Sequence, residues 1–312
     1  MEAVQGLGDA LRQTWHRFGA CFRTKTRDGG LYAYHYLCGL LRMTEERNFA
    51  TIGRQAGLAE QNVQHVMSNS PWSAQPVFQQ VQREIATKPG LESGGMLLLD
   101  ESADDKAGLK SVGAARQYNG RMGKVELSQV GVFLAYSKIQ PTLPAPVWTW
   151  VDGEVFLPEH WFSAEMAGER RRLEVPTDRV FATKVELGWQ MIVRAQANGL
   201  PFEAVCCDDL YGRSTWFRRN AAQAGLVYVA DVPSNTQVYL AAPTLGVPLG
   251  GGARAKGTTA QPHPGALGGE IDPGAGAVWA WGHGAPARGG ALDRARRDRR
   301  RVRGAARLDG SG

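Results

Sequence analysis

The chain changes its hydrophobic period at Met96, and that change limits what it can fold into. Met96-Leu97-Leu98-Leu99 is a continuous apolar run closed by Asp100, as expected of a strand buried on both faces. Val125 to Tyr136 and Pro146 to Phe156 read as two further strands, the first entered through the turn residues Asn119-Gly120-Arg121-Met122-Gly123. Glu159 to Ala167 and Val185 to Asn198 read as helices, Phe202 to Asp208 as a strand, Ser214 to Ala224 as a helix and Leu226 to Val232 as a last strand. The expected order is β-β-β-α-α-β-α-β.

Upstream of Met96 the pattern is helical. Leu31 to Met43 is an apolar-rich helix, and Asn48 to Met67 has the form of a helix-turn-helix. Ile52, Ala56, Leu58, Val63 and Val66 supply its inward face, Gly57 its turn, and Gln61, Asn62, Gln64 and His65 a polar outer face on the second helix. Two readings stay open here: a helix that places Gln61, Gln64 and His65 in a DNA groove, or a plain helical hairpin packed on the core. Ser70-Pro71-Trp72 stops the second helix, and Thr87-Lys88-Pro89-Gly90 with Ser93-Gly94-Gly95 reads as a linker. The expected units are therefore a helical DNA-binding region over 1–92, an α/β core over 93–245 and a tail over 246–312. The tail holds 17 of the 39 glycines and an arginine-rich run from Arg294 to Arg307, so disorder is expected there.

Charge says less than it first suggests. The net charge is +6, but residues 1–245 carry 25 Lys+Arg against 25 Asp+Glu, and residues 246–312 carry 11 against 5. The excess lies in the tail, so the basic pI does not describe the folded body. No run approaches the roughly 18 apolar residues that span a bilayer, and the start has no basic or apolar leader pattern, so no membrane contact and a cytoplasmic location are expected. Cys21, Cys38, Cys206 and Cys207 form no CxxC pair, which supports neither zinc nor a disulfide framework.

A three-strand meander, a helical crossover, then alternating strand and helix is the ribonuclease H-like order: a mixed sheet with flanking helices. In that order the first strand is central and the fourth pairs with it in parallel. Asp100 and Asp208 would then end neighbouring strands and bring two carboxylates to one edge of the sheet. Phosphodiester chemistry needs such a pair, because carboxylate oxygens hold hard cations about 3.5–4 Å apart around the reacting phosphate. Mg2+ is the expected ion, with Mn2+ as substitute.

Further blocks carry a resemblance. Asp100-Glu101-Ser102, Lys106, Lys110, Ser111 to Tyr118, Gly123-Lys124 and Gln129 to Leu134 resemble the first catalytic block of DDE-superfamily insertion-sequence transposases. Phe156 to Trp161, Phe181-Ala182-Thr183-Lys184 and Asp208-Asp209-Leu210-Tyr211-Gly212 resemble the later blocks, so that the match runs from about Asn48 to Pro243. The resemblance implies Asp100 and Asp208 as catalytic and metal-binding residues. It also implies double-stranded DNA at transposon ends as substrate, cut and joined by strand transfer, with a homo-oligomer on the DNA. The family's third carboxylate, a glutamate on a helix after the fifth strand, has no match; Glu270 lies among helix breakers and is rejected.

Plainer readings accompany each of these residues. Asp100 and Asp208 could be strand-end caps. Asp209 and Glu101 are disfavoured as ligands because neighbours along a strand point to opposite faces, and Asp104 and Asp105 read as solvated. Lys106, Lys110, Arg116 and Lys124 are expected to contact phosphates, against a solvated surface as the alternative. Arg170-Arg171-Arg172 is either a DNA-backbone patch or a solvated helix end. Trp148, Trp150, Trp161 and Trp189 are expected in core or interface, and Cys206 and Cys207 in packing. Rival functions are a catalytically inactive truncated transposase and a helix-turn-helix DNA-binding protein. The jump to Gly, Ala, Pro and Arg after about Gly246 leads to the expectation of a frameshifted tail and weak or no cleavage.

Overall fold

The computed structural model describes residues 2–140, 145–233, 245–246 and 261–262. Helices α1 (Glu2–Phe18), α2 (Gly30–Arg42), α3 (Phe49–Ala56), α4 (Glu60–Ser68) and α5 (Ala74–Thr87) come first. The expected helix-turn-helix is α3 and α4. The Asn48 side chain caps α3 by accepting from the Thr51 amide at 2.9 Å. Gly57 ends α3 at φ 66, a left-handed conformation that costs a glycine little. Ile52, Val63 and Val66 are buried, while Gln61, Asn62 and Gln64 are exposed and His65 is half-buried.

The sheet follows: β1 (Met96–Asp105), β2 (Ala115–Asn119), β3 (Lys124–Lys138) and β4 (Val147–Val155), then α6 (Ala167–Arg172), α7 (Lys184–Ala197), β5 (Ala204–Cys207), α8 (Asp209–Gly212), α9 (Thr215–Gln223) and β6 (Val227–Ala230). Strand order is β2-β3-β1-β5-β6, with β4 also on β3. β1 is antiparallel to β3 and parallel to β5, and β5 is parallel to β6. This is the expected ribonuclease H-like mixed sheet, with one strand more than the sequence suggested. Ala115–Asn119 is polar and carries no apolar signal, yet it forms a hairpin with the start of β3. Its turn is tied by the Met122 and Gly123 amides, which donate to the Asn119 carbonyl at 3.1 and 2.9 Å. Ser128 of β3 is partner to both Asp105 of β1 and Ala115 of β2, so β1 and β2 flank opposite edges of β3.

One face of the sheet makes the core. Leu97 and Leu99 of β1, Leu134 and Tyr136 of β3, and Val205 of β5 pack with Leu187, Met191 and Ile192 of α7 and Phe217 of α9. Helix α5 joins this core through Ile85, and the buried Gln82 amide donates to the Val151 carbonyl at 2.8 Å. Helix α7 sits close because Gly188 has no side chain: a Cβ there would meet Leu99 Cδ2 at 2.7 Å and Tyr211 Cε1 at 3.0 Å. Gly188→Val is expected to cost about 1–3 kcal/mol by forcing α7 away from β1, measured as a lower midpoint in urea. On the opposite face large apolar side chains remain in solvent, with Trp148 59%, Trp150 46% and Val227 54% exposed.

A bulge in β4 builds a second feature. Leu134 pairs with Asp152 but Ala135 with Trp150, leaving Val151 extra. Asp152, 1% exposed, accepts from Arg194 Nε of α7 at 2.8 Å and from Gln75 Nε2 of α5 at 3.0 Å. Arg194 also reaches Glu154 at 3.6 Å, and Glu154 pairs with Arg179. No helix among the described residues is long and apolar enough to cross a membrane. Beyond Leu245–Gly246 paired with Gln261–Pro262, the expected tail and Glu270 lie outside the described residues.

Candidate active site

The parallel pairing of β1 with β5 ends at Leu99↔Cys207. The next residue on each strand is an aspartate, Asp100 and Asp208. Their neighbourhood follows from register alone, since two parallel strands that pair to one position hold the following residues side by side. Asp100 does not end its strand, as the sequence suggested. β1 continues five residues to Asp105 because the long β3 keeps pairing with it. Asp208 does end its strand: its Oδ1 accepts from the Leu210 amide at 3.0 Å and caps α8.

Oxygen atoms of Asp100, Glu101 and Asp208 all lie within 4.8 Å of one another. Strand alternation disfavours Glu101 as a ligand, yet its carboxylate lies in this group. Alternation holds, with Glu101 on the face of Leu97 and Leu99 and Asp100 on the other. Past Leu99, however, β5 has left β1 and the chain turns into α8, so carboxylates from both faces meet at the gap. Glu101 lies on the α7 face, where Lys184 Nζ contacts its Oε1 at 3.1 Å and the Tyr211 hydroxyl donates to its Oε2 at 3.4 Å. A sequence signal was present: Leu97, Leu99, Glu101 and Ala103 share one face of β1, and an acid in that series marks a polar partner or a site.

Burial, then the charges of Glu101 and Asp100, push the Asp208 carboxyl up from 3.8 to about 6. Three crowded acids with one ammonium between them fit a divalent cation, and an all-oxygen donor set fits Mg2+ or Mn2+ better than a soft metal. The folded state holds an extra proton between about 3.8 and 6, so without metal, stability falls as pH rises through that window. A cation competes with the same proton. Mn2+ affinity should therefore rise about tenfold from pH 5 to pH 7 and level off above, as Asp208 goes from roughly one-tenth to nine-tenths ionised. Calorimetric titrations at pH 5, 6 and 7 check this, and a flat profile would remove Asp208 from the site.

A family model described as DDE superfamily endonuclease matches residues 17–267. The chain belongs to that family. The match extends past Pro243, where the sequence resemblance was read to stop. The chain is also 26% identical over 211 residues to a protein from Microchaete diplosiphon named "Probable transposase for insertion sequence element IS701". That alignment covers 67% of this chain and 50% of the relative, so the chain spans half of the relative's length.

Around the acids of this member of the DDE superfamily endonuclease family, the basic residues divide by their partners. Lys106 pairs with Asp104 at 2.7 Å and Lys124 with Glu126 at 2.9 Å, while Arg116 donates to the Val125 carbonyl at 3.3 Å. Lys110 lines a cavity of about 710 Å³ with His160, Trp161, Met166 and Arg172. Of the arginine triplet, Arg170 turns inward to the Trp161 and Ser163 carbonyls, and Arg172 pairs with Glu169 at 2.6 Å. Trp161 is in a core, 1% exposed, and Trp189 is half-buried against Trp216 and Phe217. Burial, with Asp208 beside it, pushes the Cys207 thiol up to about 12, so this cysteine packs and stays unreactive.

Proposed function

We propose that this chain is the DNA-binding region and catalytic sheet of a DDE transposase of a bacterial insertion sequence, acting in the cytoplasm on double-stranded transposon ends as a homo-oligomer. The convergence of Asp100 and Asp208 where β5 leaves β1, in a chain of the DDE endonuclease family, carries that reading. A Mg2+ or Mn2+ ion held there would activate the attacking water or 3′-hydroxyl and stabilise the leaving oxygen. Asp100 and Asp208 supply the oxygens and the sheet fixes their separation. Lys110 and Arg116, with Lys106 and Lys124 exchanging their present partners, bind backbone phosphates over the core, residues 93–245.

The helical region, residues 1–92, reads the end sequence through the exposed Gln61 and Gln64 and the half-buried His65 on α4. Replacing these three by alanine is expected to weaken binding to the element's end by about 1–3 kcal/mol per lost base contact, and binding to random duplex by less. Fluorescence anisotropy with both duplexes measures it, and equal losses would make α4 a packing element.

The test of the whole reading is incubation of the purified chain with a plasmid carrying the element's ends, with Mg2+, Mn2+ or neither. Metal-dependent nicking at the ends supports the transposase. A second reading, an end-binding protein without catalysis, is favoured by one observation: both oxygens of Glu101 are engaged by Lys184 and Tyr211. Specific binding with no nicking in either metal would select it.

A further inference from the structure

Lys184 is placed with more care than a surface ion pair requires. It is the first residue of α7, directly after a capping box in which the Thr183 hydroxyl accepts from the Glu186 amide and Glu186 accepts from the Thr183 amide. Its ammonium also faces an aromatic ring, with Nζ 5.8 Å from the centre of the Phe156 ring. The Lys184 and Glu101 side chains are 18% and 22% exposed, so the pair is screened less than a solvated one. On the other oxygen of Glu101 sits the hydroxyl of Tyr211, itself fully buried. Glu101 thus has a fixed cation on one oxygen and a fixed donor on the other, within 4.8 Å of the two aspartates.

The geometry points to Lys184 as a resident positive charge that takes the place of a second metal ion. This inference rests on the metal reading of Asp100 and Asp208 proposed above and goes beyond it. Three carboxylates carry one charge more than a single divalent cation neutralises, which leaves room for a second cation; a lysine salt-bridged to one of the three cancels that carboxylate's charge and occupies one of its lone-pair directions. Glu101 is then a partner of Lys184 and leaves Asp100 and Asp208 to hold a single ion. Lys184 is a positioning residue, acting through Glu101, and its removal should increase metal binding where loss of a merely structural contact would decrease it.

Counting Mn2+ bound per chain by the loss of the free-ion paramagnetic resonance signal tests this. The full chain should bind one ion, Lys184→Met two, Lys184→Arg one, and the double variant Lys184→Met with Glu101→Gln one again. Lys184→Gln serves in place of Lys184→Met if that variant loses its fold by circular dichroism. Two ions on the unaltered chain, or one ion on both neutral variants, would overturn the inference while leaving the metal site standing. No ion on the unaltered chain would remove the metal reading and the inference with it.

Discussion

Asp100→Ala and Asp208→Ala are each expected to abolish metal-dependent nicking, with a loss of roughly 10³-fold or more, equivalent to about 4 kcal/mol of transition-state stabilisation. Each removes one of the two carboxylates of the cluster of Asp100, Glu101 and Asp208 that, among the described residues, form no salt bridge, whereas Glu101 pairs with Lys184. Asp209→Ala should stay within about threefold of the unaltered chain, because Asp209 begins α8 and is outside the cluster. The comparison separates a charge effect from a ligand effect, since Asp208 and Asp209 are adjacent in sequence. Plasmid nicking and Mn2+ titration on the same preparations give two readouts. Metal binding that persists in both the Asp100 and Asp208 variants would end the case for this site.

The largest effect on stability should come from the Asp152 network. Arg194→Met leaves a carboxylate that is 1% exposed without its cation, with only the neutral Gln75 side chain and the Gly153 amide still donating to it. Removing one partner of a buried pair typically costs 3–5 kcal/mol. Arg194 is itself 32% exposed, so water tempers the loss and about 3 kcal/mol is expected. Replacing Asp152 as well, in Asp152→Leu with Arg194→Met, should recover much of it, because the stranded charge is gone. Urea denaturation of the two single variants and the pair closes the cycle, and additive losses would show that the two residues are not coupled.

The two central strands were legible because they read as unbroken apolar runs, Leu97 to Leu99 in β1 and Val205 to Cys207 in β5, although only one face of each is fully buried. The turn of the helix-turn-helix was legible through Gly57, whose positive φ the sequence needs at that point. What escaped was governed by partners remote in sequence. Ala115–Asn119 is a strand only because β3 is long enough to pair beyond β1, and Asp104 and Asp105 are strand for the same reason. Glu101 escaped because alternation does put it on the other face from Asp100, but the two side chains still come within reach of Asp208 where β5 ends. The bulge at Val151 precedes Asp152, whose carboxylate takes a local donor in the Gly153 amide but draws its cation and its other side-chain donor from the remote Arg194 and Gln75.

The end of the β1–β5 pairing also sets an order in time. The two aspartates stand more than a hundred residues apart in the chain, and parallel pairing over such a separation must await closure of a long loop, which makes it slow. The antiparallel pairing of β1 with β3 needs far less chain and can form while synthesis continues. A chain still emerging from the ribosome at about 5–20 residues per second therefore has its antiparallel half several seconds before Asp208 exists. On the metal reading proposed above, cation affinity would appear only with the strand that brings Asp208 beside Asp100, and would be a late marker of folding.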